Sequence, residues 1–257
     1  MLQTSLSGVM AASRDMSVVS NNLANAMSVG FKRSTSQFLT TAGFEASSVR
    51  VSETQGSMKA TQSSMDFAIE GNGHFVFKDP NALPGVDASL VYSRAAQLKM
   101  TPEGNLVDSE GRQLMGLASP NSTTPIEINL QKIPGIDIAK ISSITVDASG
   151  ALSILSNNGV TTKAGNLAIA RFSNEDGLRG QGGSSFIATE RSGAALFTRP
   201  GANGAGALKQ GMLEQANVDI TVELLRMIQL QQAYNANSRA LQTTSEIYRS
   251  TTETIAR

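Results

Sequence analysis

The sequence has no cysteine, no tryptophan and a single histidine. Without cysteine there is no thiolate catalysis, no disulfide and no cysteine-ligated metal. The lone histidine, His74, lacks the partners that triads and histidine metal sites need, so it reads as a structural or surface residue. Charge is scarce as well. Asp, Glu, Lys and Arg make up 16% of the 257 residues, and the formal net charge is +0. Soluble domains usually carry roughly 25%. That balance gives no general attraction to nucleic acid or to an anionic membrane. No apolar run approaches the ~20 residues that span a bilayer, so direct membrane insertion is not expected. The first residues, Met1-Leu2-Gln3-Thr4-Ser5-Leu6, hold neither a basic region nor a continuous apolar one, so a cleaved secretory leader is not expected.

The missing charge is replaced by Ser, Thr, Asn, Gln, Ala and Gly. Such a surface repels its neighbours weakly, which suits a protein covered by other subunits and equally suits a neutral monomer. The carboxylates are scattered and none follows a calcium-loop pattern. Gly71-Asn72-Gly73 lacks the third glycine and the following helix of a dinucleotide loop. Gly201-Ala202-Asn203-Gly204-Ala205-Gly206 lacks the Lys-Ser or Lys-Thr pair of a phosphate loop. Both read as turns. Lys32-Arg33 is too short for a nucleic-acid patch and reads as a solvated pair or an interface contact. The residues therefore point to no catalytic, cofactor or metal site, and to no enzyme.

What is present divides into a helical start, a β-rich middle and a helical end. Leu2, Val9, Met16 and Leu23 recur every seven residues, with Leu6, Ser13, Ser20 and Met27 as companions. Gly30 reads as the helix stop. At the other end Met227, Tyr234, Leu241, Tyr248 and Ile255 recur every seven, with Leu224, Gln231, Ser238, Ser245 and Thr252 as companions. Asp219 is placed to cap this helix, with Glu223 in or near its first turn. Glu246 with Arg249, and Arg249 with Glu253, are spaced to support the exposed face. Neither helix has a wide apolar face. Together they could pair in a coiled-coil-like way, loose in the monomer and ordered on assembly; an ordinary helical hairpin closing a single domain fits the same pattern.

The middle reads as short antiparallel strands. Phe67–Glu70 and His74–Phe77 flank Gly71-Asn72-Gly73 as a hairpin. Leu90–Tyr92, Gln97–Met100, Asn105–Asp108, Ile144–Val146, Ala151–Ile154 and Leu167–Phe172 are further strands. Turns fall at 101–104, 108–111, 147–150 and 157–159. The expected class is α+β: N- and C-terminal helices forming a coiled-coil-like inner domain, with an antiparallel β-rich central domain. The expected divisions are 1–34 with 212–257, an extended connection over 35–65, a β-rich domain over 66–176, and a Gly/Ser-rich return over 177–211.

Several motifs resemble the flagellar rod and hook protein family. Asn21-Asn22-Leu23-Ala24-Asn25 followed by Gly30-Phe31-Lys32-Arg33 is similar to that family's N-N-(L/I)-A-N … G-F-(K/R) signature. Gly211-Met212-Leu213-Glu214 with Asn217-Val218-Asp219, Glu223-Leu224, Met227-Ile228, Gln231, Ala233-Tyr234 and Asn237 resembles its C-terminal segment, although Gln232 stands where the family commonly has Arg. Thr54-Gln55-Gly56-Ser57, Asp66–Gly73, Tyr92-Ser93-Arg94 and Gly104–Val107 match its middle segments, with His74 replacing an aromatic. The resemblance covers nearly the whole chain in order.

It implies a structural subunit of the flagellar rod, polymerising helically through its terminal helices into a torque-transmitting shaft in the basal body. The implied partners are copies of itself, other axial proteins and the flagellar type III export apparatus. The implied assembly residues are Asn21, Asn22, Leu23, Ala24, Asn25, Gly30, Phe31, Lys32, Glu214, Asn217, Val218, Glu223, Leu224, Met227, Ile228, Gln231, Tyr234, Asn237, Leu241 and Tyr248. The short stretch from Thr35 to Glu53 favours a proximal, FlgF-type rod protein. The C-terminal helix looks more like the distal FlgG-type and hook members. A surface-presented binding module would need an exposed aromatic or basic patch, which 5% aromatic content does not favour. A wall hydrolase would need a carboxylate pair in a cleft.

Overall fold

In the computed structural model the described residues are 2–41, 44–52, 54–80, 90–119, 122–182 and 184–255; the side chains of 2, 37–41, 44–48, 251 and 253–255 are not among them. The expected Arg249–Glu253 pair and the heptad position Ile255 therefore lie outside the described side chains, and Met1 and Glu53 outside the described residues. The chain folds as two units. One comprises 1–27, 33–52 and 218–257, the other 28–32 and 53–217. Segment 33–52 thus belongs with the helices, and 28–32 with the strands.

The first unit contains helix α1 (Leu2–Ala24), strands β1 (Ser34–Thr41) and β2 (Phe44–Val51), and helix α2 (Ile220–Ile255). Within its 36 residues α2 has neither proline nor glycine, so nothing interrupts its ladder. Asp219 caps it: its Oδ1 accepts from Thr221 N at 2.8 Å and Val222 N at 3.2 Å. Helix α1 ends six residues before Gly30, where the Asn25 amide and side chain both return to the Asn21 carbonyl. The predicted stop at Gly30 is therefore a misplaced boundary. Strands β1 and β2 form an antiparallel ladder from Ser34↔Val51 to Thr41↔Phe44, inside the segment expected to be merely extended.

Both helices are rotated from the face that the large apolar residues suggest. On α1 the inward row is Ser5, Gly8, Ala12, Asp15, Val19 and Asn22, with Val9, Met16 and Leu23 at its border. The expected companions Leu6, Ser13, Ser20 and Met27 face outward, Met27 at 89% exposure. On α2 the inward row is Glu223, Met227, Leu230, Asn237, Leu241 and Thr244; Leu224, Gln231, Ser245 and Thr252 are exposed. Small side chains explain the choice. A Cβ on Gly8 would stand 2.7 Å from Asn237 Nδ2, so the helices touch where α1 has almost no side chain.

The second unit is β-rich and antiparallel. Its largest sheet has 13 strands among the described residues. The main path runs Ile141–Val146, Ala151–Ser156, Thr161–Leu167, Gln113–Leu117, His74–Lys78, Leu90–Ser93, Ser185–Ile187, Arg179–Gly182. A three-stranded sheet joins Ala207–Gln210, Asp66–Glu70 and Ala96–Gln97, and Met58–Ala60 pairs with Met212–Glu214. The Gly/Ser-rich return supplies the strands Arg179–Gly182, Ser185–Ile187, Leu196–Thr198 and Ala207–Gln210. The core between strands includes Phe67, Ile69, Phe75, Phe77, Leu114 and Leu167.

The hairpin expected at 71–73 does not form. Asp66–Glu70 and His74–Lys78 lie in different sheets, and the glycines turn the chain from one to the other. Both have positive φ, and a Cβ on Gly73 would lie 2.4 Å from the Ile169 side chain. The strand expected over 167–172 breaks at Ala168, whose amide donates to the Met115 carbonyl. The turns at 101–104, 108–111, 147–150 and 157–159 are where the sequence places them, each closed by a hydrogen bond that its glycine amide donates to the carbonyl three residues earlier.

Candidate functional site

Two buried glutamates organise the signature segments, one in each unit. Glu223 sits at the start of α2 with no exposure at all. Its Oε1 accepts from Arg33 Nε at 2.5 Å and its Oε2 from Asn22 Nδ2 at 3.3 Å. The Asn22 amide also pairs with the backbone of Ser34: Nδ2 donates to the Ser34 carbonyl, and Oδ1 accepts from the Ser34 amide, each at 2.8 Å. A side-chain amide here imitates a strand neighbour at the start of β1. Aspartate could not donate, and glutamine is one carbon too long. Lower on α1, Asp15 accepts from the Ser36 hydroxyl. Burial holds the Asp15 carboxyl above its ordinary range, opposed by the Arg226 charge.

In the other unit Glu214, 1% exposed, receives three donors. Lys32 Nζ lies 2.7 Å from Oε1, the Gly56 amide 3.0 Å from the same oxygen, and Arg94 Nε 2.8 Å from Oε2. Its backbone carbonyl accepts from the Gly30 amide at 2.8 Å. Gly30 has φ +66°, and a Cβ there would stand 2.7 Å from the Ala95 amide, so only glycine fits. Lys32 donates as well to the Thr54 carbonyl, and Asn217 Nδ2 donates to that carbonyl and to Thr54 Oγ1. The Asn217 amide reaches the Phe31 carbonyl.

The Thr-Gln-Gly segment is committed in full. Thr54 holds Lys32 and Asn217, while Gln55 bridges the Ile69 carbonyl and the Gly71 amide. A Cβ on Gly56 would collide with the Gln215 carbonyl at 1.9 Å.

Burial pulls the Lys32 ammonium below its ordinary range; Glu214 works against that, and Arg94 adds to it. His74 is buried edge-on to Phe172 and Phe186, its Nδ1 without a hydrogen-bond partner. Burial first, then the Arg94 and Lys32 charges, push its pKa down to about 3. It is a structural residue. Among the described residues no group of three or more His, Asp or Glu could hold a metal, and no helix is long and apolar enough to cross a membrane.

Of the residues singled out in the sequence, the structure brings Asn22 to Glu223, and Gly30, Phe31, Lys32 and Asn217 to Glu214 or its surroundings. Asn25 caps its own helix, Asn21 and Ala24 face outward, and Leu23 and Val218 are half-buried. Met227, Asn237 and Leu241 lie on the inward row of α2. Leu224, Ile228, Gln231, Tyr234 and Tyr248 are exposed. Lys32-Arg33 is not a solvated pair, because its two side chains go to different buried carboxylates. Arg33, Ser34, Thr54 and Arg94 were not singled out as site residues. For Arg33 and Arg94 the signal is Glu214 and Glu223 themselves, each needing a cation once buried.

Three family profiles match. They are "Flagella basal body rod protein" over residues 2–32, "Flagellar hook protein FlgE/F/G D1 domain" over 68–154, and "Flagellar basal body rod FlgEFG protein C-terminal" over 209–254. The chain is 31% identical to the flagellar basal-body rod protein FlgG of Buchnera aphidicola subsp. Acyrthosiphon pisum, covering 96% of each chain. It is 30% identical to FlgG of Caulobacter vibrioides, covering 98% of each. The crystal structure of Helicobacter pylori flagellar hook protein FlgE2 aligns with 71% of this chain and 42% of that one, at 14% identity and a TM-score of 0.25, too low to bear on the fold. With Asn22, the Gly-Phe-Lys segment and the Thr-Gln-Gly segment accounted for by contacts, and relatives at this identity matched over nearly their whole length, the chain belongs to the flagellar basal-body rod and hook protein family.

Proposed function

We propose that this protein is a structural subunit of the flagellar rod, not an enzyme, and that it polymerises through its terminal helices. One observation carries the reading: α2 keeps Leu224, Leu225, Ile228, Ile247 and Tyr248 on its outside, although its inner row contains Glu223, Asn237 and Thr244. A helix whose inner row is half polar while this many large apolar groups stay outside has hydrophobic surface reserved for other chains. The partners are copies of itself and other axial proteins, with export by the flagellar type III apparatus. The location is the basal body. In the assembled state α1 and α2 pair in a coiled-coil-like manner, completed by neighbouring helices.

Full-length similarity to FlgG proteins favours the distal rod over the proximal FlgF-type position that the short 35–53 stretch suggests. The test uses Leu225→Gln with Ile228→Gln. The variant should melt like the wild type as a monomer yet fail to form sedimenting filaments or restore swimming to a strain lacking the protein. Normal filament growth by this variant would refute the reading.

A further inference from the structure

We propose that Arg94 is the positioning residue that seats the Gly-Phe-Lys segment, acting through Glu214. Glu214 ends the strand Met212–Glu214, and its carboxylate can rotate about its last bond. Lys32 and the Gly56 amide both hold Oε1, which leaves Oε2 to Arg94 Nε. The same guanidinium uses Nη1 to bind the carbonyls of Gly71 and Gly73. Arg94 thus ties Glu214 to the glycine corner between the two sheets, and it is 4% exposed. With both oxygens fixed, the carboxylate presents one to Lys32, while the Glu214 backbone receives Gly30.

A lysine at 94 would bring the charge but not the planar fork that reaches a carboxylate and two carbonyls together. The geometry, not the charge alone, is the requirement. The seat is local. Segment 28–32 meets this unit through the Gly30, Phe31 and Lys32 contacts already described, none of which lies in the Phe67–Phe77 core.

The test is hydrogen exchange followed by mass spectrometry on the full chain, comparing a peptide covering 28–32 with one covering the core strand 74–78. Arg94→Gln and Arg94→Lys should each speed exchange over 28–32 by about tenfold or more while the core strand keeps its protection. In a Lys32→Met background the effect of Arg94→Lys should shrink to about threefold or less, because the residue acts through the Glu214–Lys32 contact. Wild-type protection in Arg94→Lys overturns the proposal, since any cation would then suffice. Equal loss over both peptides also overturns it, by making Arg94 a part of the general fold. Should Arg94→Gln fail to fold, Arg94→Lys decides alone. Sedimentation of filaments formed from Arg94→Lys, expected to be reduced, connects this contact to the assembly reading. Failure of the wild type itself to polymerise would count against that reading and leave the exchange result standing.

Discussion

The two units use opposite sides of their surfaces. The β-rich unit closes Phe67, Ile69, Phe75, Phe77, Leu114 and Leu167 inside. The helical unit turns Leu6, Met10, Met27, Leu225 and Ile228 outside and places Gly8, Ala12, Asn22 and Glu223 within. Burial of apolar surface stabilises by roughly 25 cal/mol per Å². The β-rich unit gains that within one chain, and the helical unit leaves several large apolar groups in solvent. One chain thus carries a part that closes its large apolar groups inside and a part that keeps several outside.

The largest expected effect lies in the β-rich core. Phe75→Ala should cost about 3–5 kcal/mol, measured by denaturant unfolding of the monomer. A cost under ~1 kcal/mol would break the contrast between the units. Next come the glutamates. Glu214→Gln leaves Lys32 and Arg94 buried beside a neutral amide and should cost on the order of 3 kcal/mol, whereas Glu223→Gln should cost less because Arg33 is a quarter exposed. Equal costs in the two units would show that exposure of the cation does not matter.

Acid should separate the units by sign. The His74 pKa of about 3 lies below the unfolded value of 6.5, so its favourable contribution is complete above pH 6.5 and is lost as pH falls toward 3. At ~1.4 kcal/mol per pH unit the loss has a ceiling of about 5 kcal/mol. His74→Phe should flatten that slope in the β-rich unit. Asp15 works the other way. Its raised pKa is a penalty at neutral pH, relieved as pH falls through the folded value, so helix-unit exchange should not follow the β-rich unit's loss. Parallel loss of protection in both units on acidification would contradict this. The smallest effect on the monomer is at the surface: Leu225→Gln should change its stability by no more than ~0.5 kcal/mol. A larger drop would mean that Leu225 is packed within the free chain.

The parts of the fold that local chemistry dictates were legible. Asp147 shows why: its Oδ1 accepts from Ser149 and Ala151, closing a turn with its own neighbours. Asp219 caps α2 by the same short-range logic. The rotation of the helices was not legible, because a search for heptads follows the largest apolar residues, and here those face outward. The corner at 71–73 looked like a hairpin because glycines serve a sheet crossing and a tight turn alike. Within the candidate site, the motifs gave Lys32, Glu214 and Glu223. Arg94 went unmarked as a site residue because its partner lies 120 positions away and nothing local marks the pairing.

The amide of Asn22 has a consequence for chemical ageing. Spontaneous loss of ammonia would convert it to an acid, remove its donor to Ser34, and set two like charges against each other where Glu223 now accepts a hydrogen bond. That reaction needs the next backbone nitrogen to attack the side chain. In α1 the following residue, Leu23, is held in the helix, which keeps its nitrogen turned away from that path. Folding therefore slows the one lesion that would most directly undo this contact, and older, unfolded or partly folded chains should accumulate it first.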